Sequence, residues 1–157
     1  MSAAEASGDS VTSVAALLAS VAGSNDLPHL RVGTDVCDIA LLRYQLSTTA
    51  AQRFLTSTYT PAELAYCDGR AEHLAARWAA KEAVAKAVGS GFRALRPLQI
   101  EVARLATGTP YICQYGDQPW PDAAQDWDWS VSMAHENNIA IAVAIAIVPI
   151  TGRTNAG

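Results

Sequence analysis

The chain has 157 residues, enough for one compact domain with a single hydrophobic core and short for two. Half of its residues are hydrophobic and 17% are charged, which excludes a fibrous or wholly disordered body. A formal net charge of −4 argues against a sequence-independent nucleic-acid binder, which needs a basic surface to displace counterions.

The first ten residues are small and polar and predict a mobile start. Val14, Leu17, Leu18 and Val21 recur at helical spacing, so an amphipathic helix is expected before Gly23 to Pro28. This segment lacks the basic flank of a signal peptide: Glu5 and Asp9 precede it, with no Lys or Arg. Leu30 to Val36 reads as a short strand with Asp35 near its end, and apolar residues at Ile39, Leu42, Leu46 and Phe54 predict one helix over 39–54.

Thr60-Pro61-Ala62-Glu63 has the spacing of a capping box, with proline at the first helical position, so a short helix starts there. The longest element runs from Ala71 to Val88, rich in good helix formers and stopped by Gly89. Beyond Gly91 the period becomes two. Leu98, Ile100 and Val102 alternate, Thr107-Gly108-Thr109 turns the chain, and Tyr111 to Tyr115 returns as the partner strand. Trp127, Trp129, Val131 and Met133 alternate with polar residues up to His135, and the apolar run from Ile139 to Val148 reads as a final buried strand, too short to span a bilayer. The sum is an α+β fold, an antiparallel sheet packed against a long helix, with an N-terminal extension at 1–29, a folded domain at 30–150 and a disordered tail at 151–157.

Cys37, Cys67 and Cys113 are odd in number, with neither CxxC nor Cys/His ligand spacing. They are expected to be buried thiols of a reducing, cytoplasmic protein.

Chemistry concentrates on the long helix. Arg77 and Lys81 are four apart, as are Glu82 and Lys86, so each pair stacks along the helix and a carboxylate is flanked by cations. Taken alone, such rows describe a solvated face with ordinary ion pairs. The segment Trp78-Ala79-Ala80-Lys81-Glu82-Ala83-Val84-Ala85-Lys86 with Gly89-Ser90-Gly91, however, resembles the WxxKEAxxK segment and Gly-x-Gly turn of the phosphopantetheinyl transferases. Gly33-Thr34-Asp35-Val36 is similar to the opening strand of the holo-acyl-carrier-protein synthase type. Tyr59 to Glu63 and Val131 to Glu136 resemble two further segments, and all four stand in that family's order.

The resemblance implies the phosphopantetheinyl transferase fold and a transfer of 4′-phosphopantetheine from coenzyme A, as co-substrate, to a serine of an apo acyl carrier protein, releasing 3′,5′-ADP. It implies that Asp35 and Glu82 hold Mg²⁺, and such an ion takes one or two protein carboxylates and draws its other ligands from phosphate and water. Lys86 is expected to neutralise phosphate charge, and the base is either Glu82 or a water held by the ion. Lys81, Lys86, Gly89, Gly91 and His135 are the expected coenzyme A contacts, although Gly89-Ser90-Gly91 also reads as a plain helix cap. His29 and His73 read as surface or packing residues, and Glu63 is a lesser candidate because the capping box already accounts for it.

Further expectations are a homotrimer with the nucleotide between subunits, no nucleic acid and no membrane. One departure concerns the carrier: Leu41 stands where the family has a carrier-docking arginine, with Arg43 two residues later. The alternatives are a non-catalytic carrier-protein-binding module of the same fold and a generic α+β domain.

Overall fold

The computed structural model describes residues 29–148; the expected helix around 14–21 and the tail 151–157 lie outside the described residues. Strand β1 (His29–Asp38) leads directly into helix α1 (Ile39–Leu46). Asp38 caps that helix, accepting from the amides of Ala40 at 2.8 Å and Leu41 at 3.1 Å and from the Asn138 side chain at 2.8 Å. This pins the start of α1 to the far end of the sheet.

The single helix expected over 39–54 is two. α1 stops at Leu46, and α2 (Ala51–Thr58) starts after a turn at 47–50. The Ser47 hydroxyl donates to the Tyr44 carbonyl at 2.7 Å and Thr48 to the Gln45 carbonyl at 2.8 Å. Such short polar side chains compete with the helical ladder for its carbonyls, which favours termination.

Helix α3 (Pro61–Cys67) opens with the expected capping box, Thr60 and Glu63 bonding each other's backbone amides. Helix α4 (Ala71–Val88) follows and ends at Gly89, whose φ of 87° is a left-handed conformation that glycine adopts without steric cost. Beyond two 3₁₀ turns come β2 (Ile100–Arg104) and β3 (Pro110–Gln114), an antiparallel pair, then β4 (Asp128–Glu136) and β5 (Ile139–Val148), a second antiparallel pair. The expected sheet is therefore divided: three strands in the order β1-β5-β4, and the β2-β3 hairpin apart.

α4 lies on the larger sheet, and small residues set the distance. Ala79, Ala80, Ala83 and Val84 share a core with Ala142, Ala144 and Ala146 of β5, joined by Ile100, Val102, Trp120 and Val131. Alanine facing alanine lets helix and strand backbones approach closely.

β5 departs from the fully buried strand expected. Its alanines at 140, 142, 144 and 146 are buried, while Ile139, Ile141, Ile145 and Ile147 are 38–53% exposed. Leu30, Val32 and Val36 of the neighbouring β1 are exposed as well, so one face of the sheet is apolar and open in the single chain. Among the described residues no helix is long and apolar enough to cross a membrane.

Candidate functional site

The site begins with a missing side chain. A Cβ built on Gly33 would lie 1.9 Å from the Ala83 carbonyl oxygen and 2.8 Å from the Ala87 amide nitrogen. β1 therefore crosses α4 with backbone against backbone, and only glycine fits the crossing. Side chains alternate along a strand, so Asp35, two residues on, faces the same helix. Its Oδ1 accepts a 2.7 Å bond from the Lys86 Nζ, which also donates to the Thr34 carbonyl at 3.1 Å. The two residues are 51 apart in sequence.

Glu82 stands one helical turn before Lys86. Burial pushes its carboxyl above the usual range, the nearby Asp35 charge pushes it further, and Lys86 opposes both. The Lys86 ammonium is in turn held above its ordinary value, chiefly by its hydrogen bond to Asp35. Two neighbouring carboxylates beside one half-exposed lysine can accept a divalent cation and a polyanion together. Among the described residues no group of three or more His, Cys, Asp or Glu is placed to hold a metal. An ion here would take two protein oxygens and fill its remaining positions from ligand and water, which suits Mg²⁺.

The other residues singled out in the sequence fall elsewhere. Lys81 was expected to touch coenzyme A, but its side chain is fully buried. Its Nζ donates to Glu63 Oε2 at 2.7 Å, to the Pro97 carbonyl at 3.0 Å and to the Ile100 carbonyl. Five residues separate it from Lys86, a rotation of about 140° around the helix, so the two lysines cannot share a face. Burial lowers the Lys81 pKa and Glu63 opposes that. Glu63 also takes on more than its cap. Its Oε1 accepts from the Val102 amide at 3.0 Å, so one carboxylate ties α3, α4 and β2 together.

Gly89 and Gly91 both have positive φ, 87° and 56°, just past the last turn that carries Lys86. Gly89 donates to the Ala85 and Lys86 carbonyls, so its role as a helix cap is explicit. His135 is exposed at the end of β4, its ring 5.8 Å from that of His73. His73 precedes Glu82 by nine residues, roughly 13 Å along the helix axis. Within one chain, then, Asp35, Glu82 and Lys86 come together and His135 stands apart. His73 stacks on Tyr66 at 5.8 Å, a packing residue as expected.

Two neighbours of the carboxylates escaped the sequence reading. Cys37 follows Asp35 on the same face of β1, and its thiol is pushed up to about 11 by burial, then by Asp35, Asp38 and Glu82. Trp78 precedes Glu82 by one turn; the spacing Trp78, Glu82, Lys86 was a usable signal for one helix face. With Val36, Leu41 and Phe54, these two residues border a groove of about 240 Å³, in which Asp38 is the acidic lining residue. Of the three thiols only Cys67 is fully buried; Cys37 and Cys113 are half-buried, and all three are free.

The family model described as 4′-phosphopantetheinyl transferase superfamily matches residues 31–144. A holo-[acyl-carrier-protein] synthase from Gloeobacter violaceus is 47% identical over 90 residues, taking in 55% of this chain and 67% of that protein. Among solved structures, acyl carrier protein synthase from Mycobacterium tuberculosis superposes with a TM-score of 0.56 at 36% identity, over 76% of this chain and 97% of the other. An ACPS–CoA complex from Chronobacterium ammoniagenes gives 0.63 at 26% identity, over 76% and 98%.

Proposed function

The chain belongs to the 4′-phosphopantetheinyl transferase superfamily, and from that premise we propose that it is a holo-acyl-carrier-protein synthase. It moves 4′-phosphopantetheine from coenzyme A to a serine of an apo acyl carrier protein, requires Mg²⁺ and releases 3′,5′-ADP. The observation that carries this reading is the junction of Asp35 with Lys86 at 2.7 Å beside Glu82, built by the Gly33 crossing. The names of the relatives and the coenzyme A in one of the similar structures support the same substrate.

In this reading Asp35 and Glu82 are the protein ligands of Mg²⁺, which supplies charge neutralisation at the diphosphate of coenzyme A. Lys86, half exposed, donates among the described residues to Asp35 and to the Thr34 carbonyl, and would be able to turn to the phosphate were Asp35 to hold a cation. There it offsets charge on the leaving oxygen. The serine Oγ forms the new bond to the β-phosphorus as the bond to 3′,5′-ADP breaks. The serine proton would pass to Glu82 or to a water held beside it. Gly89 and Gly91 leave the backbone past Lys86 free of side chains where phosphate approaches. The groove lined by Cys37, Leu41 and Trp78 gives the pantetheine arm an apolar wall next to the diphosphate.

A homotrimer fits the same account. The open apolar face of β1 and β5 needs a cover, and a second copy would bring its His135 toward carboxylates that this chain's own His135 does not reach. A cytoplasmic setting fits the three free cysteines. The carrier remains a matter of docking: Leu41 is 66% exposed, and Arg43 is drawn to Glu72 at 3.6 Å.

The test is intact mass spectrometry of a panel of apo carrier proteins incubated with the protein, coenzyme A and Mg²⁺. At least one carrier gains the mass of phosphopantetheine, and the gain stops with chelator. If none gains mass while a known transferase modifies the same panel, the protein is a carrier-binding module instead.

A further inference from the structure

Past the end of α4 the chain is held without hydrogen bonds to its surroundings. Gly89 donates to the Ala85 and Lys86 carbonyls. Among the described residues, no hydrogen bond then ties residues 90–95 to another element, and the Ser90 Oγ bond to the Gly91 carbonyl at 3.0 Å is local. Gly89 and Gly91, both at positive φ, flank Ser90 and leave the turn loosely jointed.

Apolar packing has to seat this segment instead. Leu95 is fully buried, and the half-buried Phe92 ring meets the Trp78 indole at 5.5 Å between centroids, tilted by 57°. Trp78 stands about three turns before Gly89, roughly 16 Å along the helix axis. For Phe92 to reach it, the chain beyond the cap must fold back beside α4, along the row that Trp78 shares with Glu82 and Lys86. Trp78 is itself fixed. It meets Phe54 at 5.7 Å, and Phe54 meets Tyr59 edge-on at 5.9 Å. Tyr59 is 1% exposed and donates to the Leu74 carbonyl at 3.0 Å. A row of four rings in favoured tilted and edge-on geometries thus runs from the core to Phe92, its last member.

The turn that Phe92 anchors has donors to spare. The amides of Ser90 and Gly91 make no hydrogen bond among the described residues. Ser90 is right-handed helical and Gly91 follows at a φ of 56°, a succession that aims neighbouring amides into one concavity suited to an anion. Lys86 lies one helical turn away.

We propose that Phe92 is a positioning residue for coenzyme A: clasped on Trp78, its ring holds the 89–91 turn where the Ser90 and Gly91 amides reach the diphosphate that Lys86 also meets. Phe92 acts through the backbone and does not touch the ligand. Coenzyme A as that ligand rests on the transferase reading; the clasp itself does not.

The experiment titrates coenzyme A calorimetrically into the full chain with Mg²⁺ and no carrier, and records Tm on the same samples. Phe92→Ala weakens coenzyme A binding about tenfold or more, the scale of one lost hydrogen bond to a charged group. Phe92→Tyr keeps the ring and binds within about twofold of the wild type. In turnover, Phe92→Ala raises KM for coenzyme A by the same factor and leaves KM for the carrier unchanged. A merely structural role lowers Tm and the active fraction but leaves the affinity of the folded protein at its wild-type value. That result overturns the proposal, and so does equal weakening in Phe92→Tyr. Should Phe92→Ala melt below the assay temperature, Phe92→Leu takes its place; it keeps apolar bulk without the ring and loses about threefold, and wild-type affinity there also overturns the clasp. A protein that binds coenzyme A in this pattern yet modifies no carrier fails the transferase reading alone. One that transfers while Phe92→Ala binds as the wild type does fails the clasp alone, and one that binds no coenzyme A fails both.

Discussion

Replacing Gly33 with alanine adds one methyl group, and its consequences can be worked from the crossing of β1 over α4. Ordinary van der Waals contact for a Cβ begins at 3.4 Å, and this one would sit 1.9 Å from the Ala83 carbonyl oxygen, an overlap of about 1.5 Å. Both flanking contacts are helix backbone, so no rotamer relieves the clash and the strand must lift. Overpacking of this kind costs about 3 kcal/mol, which for a chain of this length lowers the Tm by roughly 6 to 12 °C. The lift also carries Asp35 away from Glu82 and Lys86, and a misplacement near 1 Å costs on the order of 100-fold in rate. Calorimetry and the rate of mass gain on an apo carrier read the two effects. Ala87→Gly in the same chain restores neither, because the obstruction is main chain. A Gly33→Ala protein with wild-type Tm and wild-type rate refutes the crossing as the device that places Asp35.

The remaining predictions follow from the same geometry. Lys81→Met leaves Glu63 buried with only amide partners and costs about 3 to 5 kcal/mol; Lys81→Met with Glu63→Gln recovers part of the loss, and the protein that stays folded keeps its KM for coenzyme A. Glu82→Gln abolishes transfer yet melts above wild type at pH 7 to 8. The folded carboxyl has a raised pKa, so its favourable contribution is full below its ordinary value of 4.5 and lost as pH rises through the folded value. The Tm difference between the two proteins therefore closes as the pH falls toward 4.5; a gap that widens in acid contradicts the raised carboxyl. Light scattering of the wild type reports a trimer, and Ile145→Lys on the open face of β5 shifts it to monomer; an unchanged mass places the interface elsewhere.

Much of this was legible in the residues themselves. The capping box at Thr60 and Glu63, the stop at Gly89 and the period-two runs of β2 and β4 are local signals, and local chemistry decided them. The break at 47–50 was missed because it has no Gly or Pro; hydroxyls of Ser47 and Thr48 end the helix by taking its carbonyls. β5 misled because both of its faces are apolar. The information lay in size, alanine inward and isoleucine outward, rather than in polarity.

Lys81 and Lys86 look alike in a linear motif, and only their angular separation on the helix, with Glu63 arriving from α3, distinguishes a core ion pair from a site residue. Sequence could not disclose the meeting of Asp35 with Lys86, 51 residues on, because it depends on how close one glycine lets two backbones come.

The most direct test of the account is a calorimetric titration of Mg²⁺ into the protein saturated with coenzyme A, with no carrier present. Wild type binds one ion per chain, and Asp35→Asn and Glu82→Gln each weaken that binding by more than tenfold while melting as folded proteins. Either variant binding Mg²⁺ as the wild type does would mean that the two carboxylates do not share an ion, and the proposed chemistry would lose its centre.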